Sequence, residues 1–239
     1  MIDAFNLILA GDPTLYQIVV LSLTVSASAS LIATLVGLPA GASLALNEFP
    51  GRSFLIILVN ALMGLPPVIV GLTLFLLLSR SGPLGALGLL FTPKAMVLAQ
   101  AVLVAPIVAA LTRQTVHDLW HEYRDELTAM AVGPARRVAA LLWDARFSLI
   151  TAVLAGFGRA SAEVGAVMIV GGNIDGFTRT MTTTISLETS KGNLTLALGL
   201  GLVLMSIVVM INAIAWGIGR WGTRFSERDQ DLLPLVYTR

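Results

Sequence analysis

Five long apolar stretches constrain the fold of this chain more than any other feature of its sequence. They cover residues 16–46, 54–79, 95–111, 147–170 and 194–220. A helix needs about 20 apolar residues to cross the hydrocarbon core of a bilayer. The chain is 56% hydrophobic and 12% charged, whereas about 25% of the residues of a soluble domain are charged. The sequence therefore predicts an all-α membrane protein, with about five transmembrane helices in a single transmembrane domain over residues 1–239.

Several functional classes are excluded by what the sequence lacks. It contains no cysteine, which excludes disulfides, thiolate metal sites and cysteine nucleophiles. A net charge of +1 without a basic run gives no indication of nucleic-acid binding. The sequence has no P-loop, no Gly-x-Ser-x-Gly elbow and no His-Glu-x-x-His pair. We therefore expect neither an enzyme nor a bound cofactor.

The two histidines are the one feature that could suggest a metal site. His117 and His121 are four residues apart, and Glu122 follows the second histidine. Two histidines at this spacing on one helix face could bind zinc, but a third ligand of suitable type is not evident. We therefore interpret both as residues on the polar face of a cytoplasmic helix.

The distribution of Lys and Arg predicts the orientation of the chain. If the N-terminus is outside, the inside segments hold ten of these residues and the outside segments hold four. The positive-inside rule then places the N-terminus outside and the C-terminus inside. Residues 112–146 become the long cytoplasmic loop, in which we expect short amphipathic helices and a new helix opening at Pro134. The threonine-rich residues 172–193 lie outside, with a short helix on the membrane or dipping into it.

A charged pair interrupts the fourth apolar stretch. Arg159 and Glu163 are one helical turn apart, so a continuous helix would place them on one face. Ionisable groups at membrane depth usually face a bundle interior or an aqueous path. Arg before Glu is the less favourable order along a helix, so each side chain could also reach another partner. The pair has two open interpretations, a structural link between helices or part of a pathway or gate.

Two other sequence features concern helix packing. Pro66 and Pro67 break the second apolar stretch near its middle, either as a kink covered by neighbouring helices or as an opening that lines a translocation path. Pro106 in the third stretch has the same two interpretations. Small residues recur every four positions in two successive runs, Ser22-Ser26-Ser30 and then Ala33-Gly37-Gly41, a pattern that suits close helix packing.

Together these features resemble the membrane subunit of type I ABC importers, and in particular the tungstate permeases, which are close to the molybdate permeases. The resemblance runs from about residue 21 to residue 220. The segments that carry it are Leu65-Pro-Pro-Val-Ile-Val-Gly71, Ser81-Gly-Pro-Leu-Gly85, Gly156-Phe-Gly-Arg-Ala-Ser-Ala-Glu-Val-Gly165, Thr178-Arg-Thr-Met-Thr-Thr183 and Leu187-Glu-Thr-Ser-Lys-Gly192. The last two are the most similar to tungstate permeases.

The resemblance also implies a segment that couples the permease to an ATPase. The family's cytoplasmic signature is Glu-Ala-Ala, three residues and then Gly. If its glycine is Gly133, Ala129 matches the last alanine, Leu127 occupies the glutamate position and Glu126 lies one position early. We expect residues 126–133 to form a short helix that contacts the ATPase, with Leu127 and Met130 on one face.

The partners follow from the same resemblance. It implies a homodimer in a prokaryotic cytoplasmic membrane, with one cytoplasmic ATPase subunit under each copy and an extracytoplasmic binding protein. It also implies an oxyanion substrate, and tungstate is the oxyanion that the most similar permeases transport. Membrane lipid is the remaining partner, and no nucleic acid is expected. An importer for molybdate, sulfate or another oxyanion stays open. So does an ion-coupled secondary transporter, in which Glu163 would titrate.

Overall fold

The structure is a computed structural model that describes residues 13–230, and these residues form nine α-helices and no β-strand. The helices are α1 (Pro13–Leu46), α2 (Arg52–Met63), α3 (Pro67–Leu78), α4 (Pro93–Ala129), α5 (Pro134–Asp144), α6 (Arg146–Ser161), α7 (Gly165–Gly171), α8 (Met181–Ser190) and α9 (Leu194–Gln230). The ends of the predicted domain, residues 1–12 and 231–239, lie outside the described residues.

Helix length and apolarity identify the candidate membrane spans. Three helical segments could each cross a bilayer alone: α1, α4 and the part of α9 from Leu194 to Ile214. Two bent pairs could supply further spans, since α2 and α3 meet at 101° and α5 and α6 at 75°. Counting each pair as one span gives up to five spans in the described part of the chain. The prediction of an all-α membrane protein is confirmed.

The third apolar stretch belongs to a much longer helix than its hydropathy predicts. Helix α4 has 37 residues, which is about 55 Å at 1.5 Å per residue, whereas the hydrocarbon core is about 30 Å thick. Pro106 lies inside α4 without ending it. Residues 112–146 are mostly helical, as expected, but the first half of this segment continues α4 instead of forming a separate short helix, and α5 forms most of the rest. Pro134 does open a helix, as the first residue of α5.

Helix α4 lies at the centre of the fold and packs most extensively against α1. The contact depends on glycine. A β-carbon at Gly37 would lie 2.8 Å from Cβ of Val108, and one at Gly41 would collide with the carbonyl oxygen of Ala109. The small-residue pattern of α1 therefore serves packing within one chain.

The surface of the chain is apolar while its interior contains polar side chains. Leu35, Ile57, Leu198 and Met205 are each more than 60% exposed. By contrast, the buried polar residues are Ser26, Ser30, Gln100, Thr112, Ser161, Glu163, Thr178, Thr180, Thr182, Thr183 and Thr184. Apolar surface on this scale marks contact with lipid or with other subunits.

Candidate functional site

The first element of the site is the break between α2 and α3. Helix α2 ends at Met63, Pro66 is extended with φ −64° and ψ 121°, and Pro67 is the first residue of α3. Proline disfavours the helical conformation of the residue before it, here Leu65, and lacks the N–H that a helix interior needs. The chain therefore turns through 101° at this point, more sharply than the kink considered from the sequence.

The second element is a break between α6 and α7 at the charged pair. Helix α6 ends at Ser161 and α7 begins at Gly165, so Glu163 lies between the two helices. The expectation that Arg159 and Glu163 share one continuous helix is therefore wrong. They are nevertheless paired, since Nη1 of Arg159 donates to Oε2 of Glu163 at 2.7 Å.

The break explains the order of the two charges. Arg159 lies in the last turn of α6, where the helix dipole favours a positive charge. Glu163 precedes α7, and its Oε1 accepts a hydrogen bond from the backbone N–H of Ala166 at 3.0 Å. A carboxylate at that position satisfies one of the free N–H groups of the helix start. Arg before Glu, unfavourable within one helix, is favourable across the junction of two.

Polar groups from other helices surround this break. Gln100 on α4 donates from Nε2 to the carbonyl oxygen of Ala160 at 2.9 Å, and Thr182 on α8 donates from Oγ1 to the carbonyl oxygen of Glu163 at 2.9 Å. Oε1 of Gln100 and Oγ of Ser161 are buried without a hydrogen-bond partner. Sequence reasoning missed Gln100, although an amide inside the third apolar stretch was a usable signal.

The threonine-rich segment is built into the protein. Helix α8 begins with a capping box between Thr180 and Thr183, and residues 181–184 are buried. The N–H of Met181 donates to Oγ of Ser22 on α1 at 2.8 Å. The sequence placed a short helix here on or dipping into the membrane, whereas the first half of α8 is enclosed by neighbouring helices.

The two breaks are close together in space because the helices that follow them, α3 and α7, pack face to face. A β-carbon at Gly71 would lie 2.8 Å from Cα of Ala166, and one at Gly165 would lie 3.0 Å from Cγ2 of Val68. Glycine at both positions permits this approach. The structure thus brings the break at Pro66 and Pro67 close to Glu163, which in turn pairs with Arg159.

The predicted coupling residues lie at a helix–helix turn and not in a separate short helix. Glu126, Leu127 and Ala129 belong to the end of α4, and Gly133 immediately precedes α5. Leu127 packs on the buried cluster around Val116 and Leu141, whereas Met130 is 74% exposed. Leu127 therefore packs partly within the chain, whereas Met130 faces outward.

The histidine pair lies on α4, with the ring centroids of His117 and His121 4.6 Å apart. Within residues 13–214, no group of three or more His, Cys, Asp or Glu side chains is placed to hold a metal ion.

Comparison with known proteins identifies the family. No family model matches the sequence. The chain is 40% identical over 221 residues to a probable anion ABC transporter permease protein of Haloferax volcanii, covering 90% of this chain and 91% of that protein. The chain belongs to the ABC transporter permeases. It is also similar to the tungstate uptake permeases TupB of Peptoclostridium acidaminophilum, at 39% identity over 90% of this chain and 94% of the relative, and of Campylobacter jejuni, at 40% over 72% of each.

The same comparison fixes the broader role of the permease. Permeases of sulfate and molybdenum transport systems are related to it at 30% identity. These relatives are transport subunits, and the apolar helices described above make this one a multi-pass membrane protein.

Proposed function

We propose that this permease is the membrane subunit of a tungstate importer. The observation that carries the proposal is its identity of 39% and 40% to two permeases named for tungstate uptake. The similarity to sulfate and molybdenum permeases at 30% favours a related oxyanion as the second candidate. A secondary transporter is disfavoured because Glu163 is already paired with Arg159 and caps α7.

The working unit is a homodimer with a cytoplasmic ATPase subunit under each copy and a separate binding protein outside. The small-residue pattern of α1 cannot supply the dimer contact, because Gly37 and Gly41 already pack against α4 within the chain. Exposed apolar faces of α1, α2, α3 and α9 are available for this contact, and on α1 the face includes Leu31 and Leu35. ATP binding closes the ATPases and moves the turn between α4 and α5.

The two adjacent helix breaks line the translocation path. Each interrupts an apolar helix, and irregular backbone at membrane depth is tolerated where it is buried in protein or lines a cavity. Arg159 neutralises Glu163 through a 2.7 Å contact. This pairing removes the repulsion that an unpaired carboxylate would exert on a dianion.

The test is uptake by the complete transporter in proteoliposomes. We expect tungstate accumulation that requires ATP, the ATPase and a binding protein, with molybdate and sulfate transported less well. Preferential uptake of molybdate or sulfate would change the proposed substrate, but the protein would still be the permease of an ATP-driven oxyanion importer. Accumulation driven by an ion gradient without ATP would contradict the proposal.

The exposed turn after α4 offers a test of coupling. A β-carbon at Gly133 meets no atom within 4 Å in this chain, so Gly133→Leu should fold normally. If the turn docks on the ATPase, this bulky side chain should uncouple ATP hydrolysis from uptake, so that ATP is hydrolysed without transport. The matched control is Ala139→Leu, on the exposed side of α5. If Gly133→Leu took up substrate at the normal rate with normal coupling to ATP hydrolysis, this turn would not be part of the ATPase contact.

The orientation can be tested by labelling, because the natural chain contains no cysteine. Ser190→Cys and Asp125→Cys place single thiols at exposed positions in α8 and α4. With the N-terminus outside, an impermeant thiol reagent should label the first in intact cells and the second only after permeabilisation. The reverse pattern would invert the topology.

A further inference from the structure

A groove between α1 and α6 contains one basic side chain among apolar ones. Its volume is about 330 Å³. Six apolar residues and one arginine line it: Leu38, Leu142, Arg146, Leu149, Ile150, Val153 and Leu154. Leu38 belongs to α1 and Leu142 to α5, while the others follow α6 for about two turns. The groove therefore begins at the junction of α5 and α6 and runs along the flank of α6.

The angle between α5 and α6 places the mouth of the groove at a membrane boundary. The helices meet at 75°, so when α6 crosses the bilayer α5 lies close to the plane of its surface. Helix α5 carries Arg136 and Arg137 and an exposed Trp143. Tryptophan and arginine are typical of the headgroup layer. The groove itself then faces the acyl chains.

Arg146 is held at the mouth by its neighbours. Its Nη1 donates to the carbonyl oxygen of Trp143 in the last turn of α5 at 2.8 Å. The guanidinium carbon lies 5.1 Å from the ring centroid of Trp143 and 4.6 Å from that of Phe147. None of the ion pairs among the side chains of residues 13–214 involves Arg146. Its positive charge is therefore fixed in position and forms no ion pair with a carboxylate of residues 13–214.

We propose that this groove binds an anionic phospholipid, with one acyl chain along Leu149 and Val153 and the phosphate against Arg146. The apolar lining matches the chain, and the uncompensated charge at headgroup level matches the phosphate. Basic pockets between transmembrane helices are a known means of recognising anionic headgroups. The lipid occupies the leaflet on the side of α5 and stabilises the bend between α5 and α6.

Native mass spectrometry of the purified transporter tests the charge requirement. The protein is exchanged into mixtures of phosphatidylglycerol and phosphatidylcholine, and bound lipids are counted. Wild type should retain phosphatidylglycerol with about fivefold preference, the effect expected of one arginine near a membrane surface. Arg146→Gln should lose that preference and Arg146→Lys should keep it. The control Arg136→Gln, at an exposed position of α5 outside the groove, should behave as wild type. Equal preference in wild type and Arg146→Gln would overturn the proposal.

Photocrosslinking locates the lipid. Phosphatidylglycerol with a photoreactive acyl chain should label residues 149–154, and Val153→Trp, which fills the groove, should abolish that labelling. Label found only on other helices would overturn the proposal. So would a disulfide between two copies of a Val153→Cys variant in the membrane, because a second copy would then cover the groove. These measurements do not require transport, so their outcome is independent of which oxyanion the permease carries.

Discussion

Arg159→Leu is expected to destabilise the permease more than Glu163→Gln, although both remove the same ion pair. The Glu163 side chain is 3% exposed and that of Arg159 is 34% exposed. Leucine at position 159 leaves a buried carboxylate without its cation, and breaking a buried pair in this way typically costs about 3–5 kcal/mol. Glutamine at 163 leaves a partly exposed arginine, and an exposed pair contributes at most about 1 kcal/mol.

The carboxylate has a second contact that determines the best double variant. Oε1 of Glu163 accepts from the N–H of Ala166, and a glutamine oxygen can accept the same bond whereas leucine cannot. Arg159→Leu combined with Glu163→Gln therefore removes both charges and preserves the cap of α7. We expect this variant to recover most of the stability lost in Arg159→Leu, because replacing a whole buried pair is often nearly neutral.

Thermal unfolding of the purified variants, followed together with uptake, measures both properties of the pair. We expect the melting temperature to be highest for wild type, lower for Glu163→Gln and lowest for Arg159→Leu. The double variant should melt at a higher temperature than Arg159→Leu. If the double variant folds and transports, the role of the pair is purely structural. If Arg159→Leu instead folds normally and fails only in transport, and the double variant does not restore uptake, Arg159 contacts the oxyanion directly. Equal losses in the two single variants would contradict the asymmetry derived from burial.

The sequence predicts much of the fold because hydropathy alone locates apolar helices in a membrane. It does not show that α4 continues unbroken past Arg113, where charged and apolar residues alternate and suggest separate short helices. Helix formation needs no apolar residues once the helix leaves the bilayer, and most of the residues in this extension have good helix propensity. The pattern predicts helix correctly, but it contains no signal that joins this helix to the membrane span before it.

The candidate site is only partly predictable for a different reason. Spacing brought Arg159 and Glu163 together correctly, because residues four apart approach each other both within a helix and across this short break. Spacing could not reveal that the helix ends at Ser161, nor that Gln100 and Thr182 reach the freed carbonyl groups. Contacts between residues far apart in the sequence depend on tertiary packing, for which a single sequence contains no local signal.

Gly41→Ala is expected to destabilise the permease although alanine is the better helix former. The new β-carbon would overlap the carbonyl oxygen of Ala109 and lie 2.8 Å from Cβ of Thr112 and 3.0 Å from the backbone nitrogen of Arg113. Backbone atoms of α4 cannot move aside as a flexible side chain can, so α1 must shift away from α4. Overpacking a well-packed contact typically costs about 1–3 kcal/mol, and Gly41→Leu should prevent folding.

Gly201→Ala is the matched control because it makes the same chemical change in another apolar helix. Gly201 lies in α9, and a β-carbon there meets no atom within 4 Å. Alanine is favoured over glycine in a helix by about 1 kcal/mol, so Gly201→Ala should leave the melting temperature unchanged or raise it. The two substitutions should thus move stability in opposite directions, measured as the melting temperature of the purified permease. If Gly41→Ala also proved neutral or stabilising, α1 and α4 could not be as close as their glycines allow, and the small-residue pattern of α1 would be available for a contact between two copies.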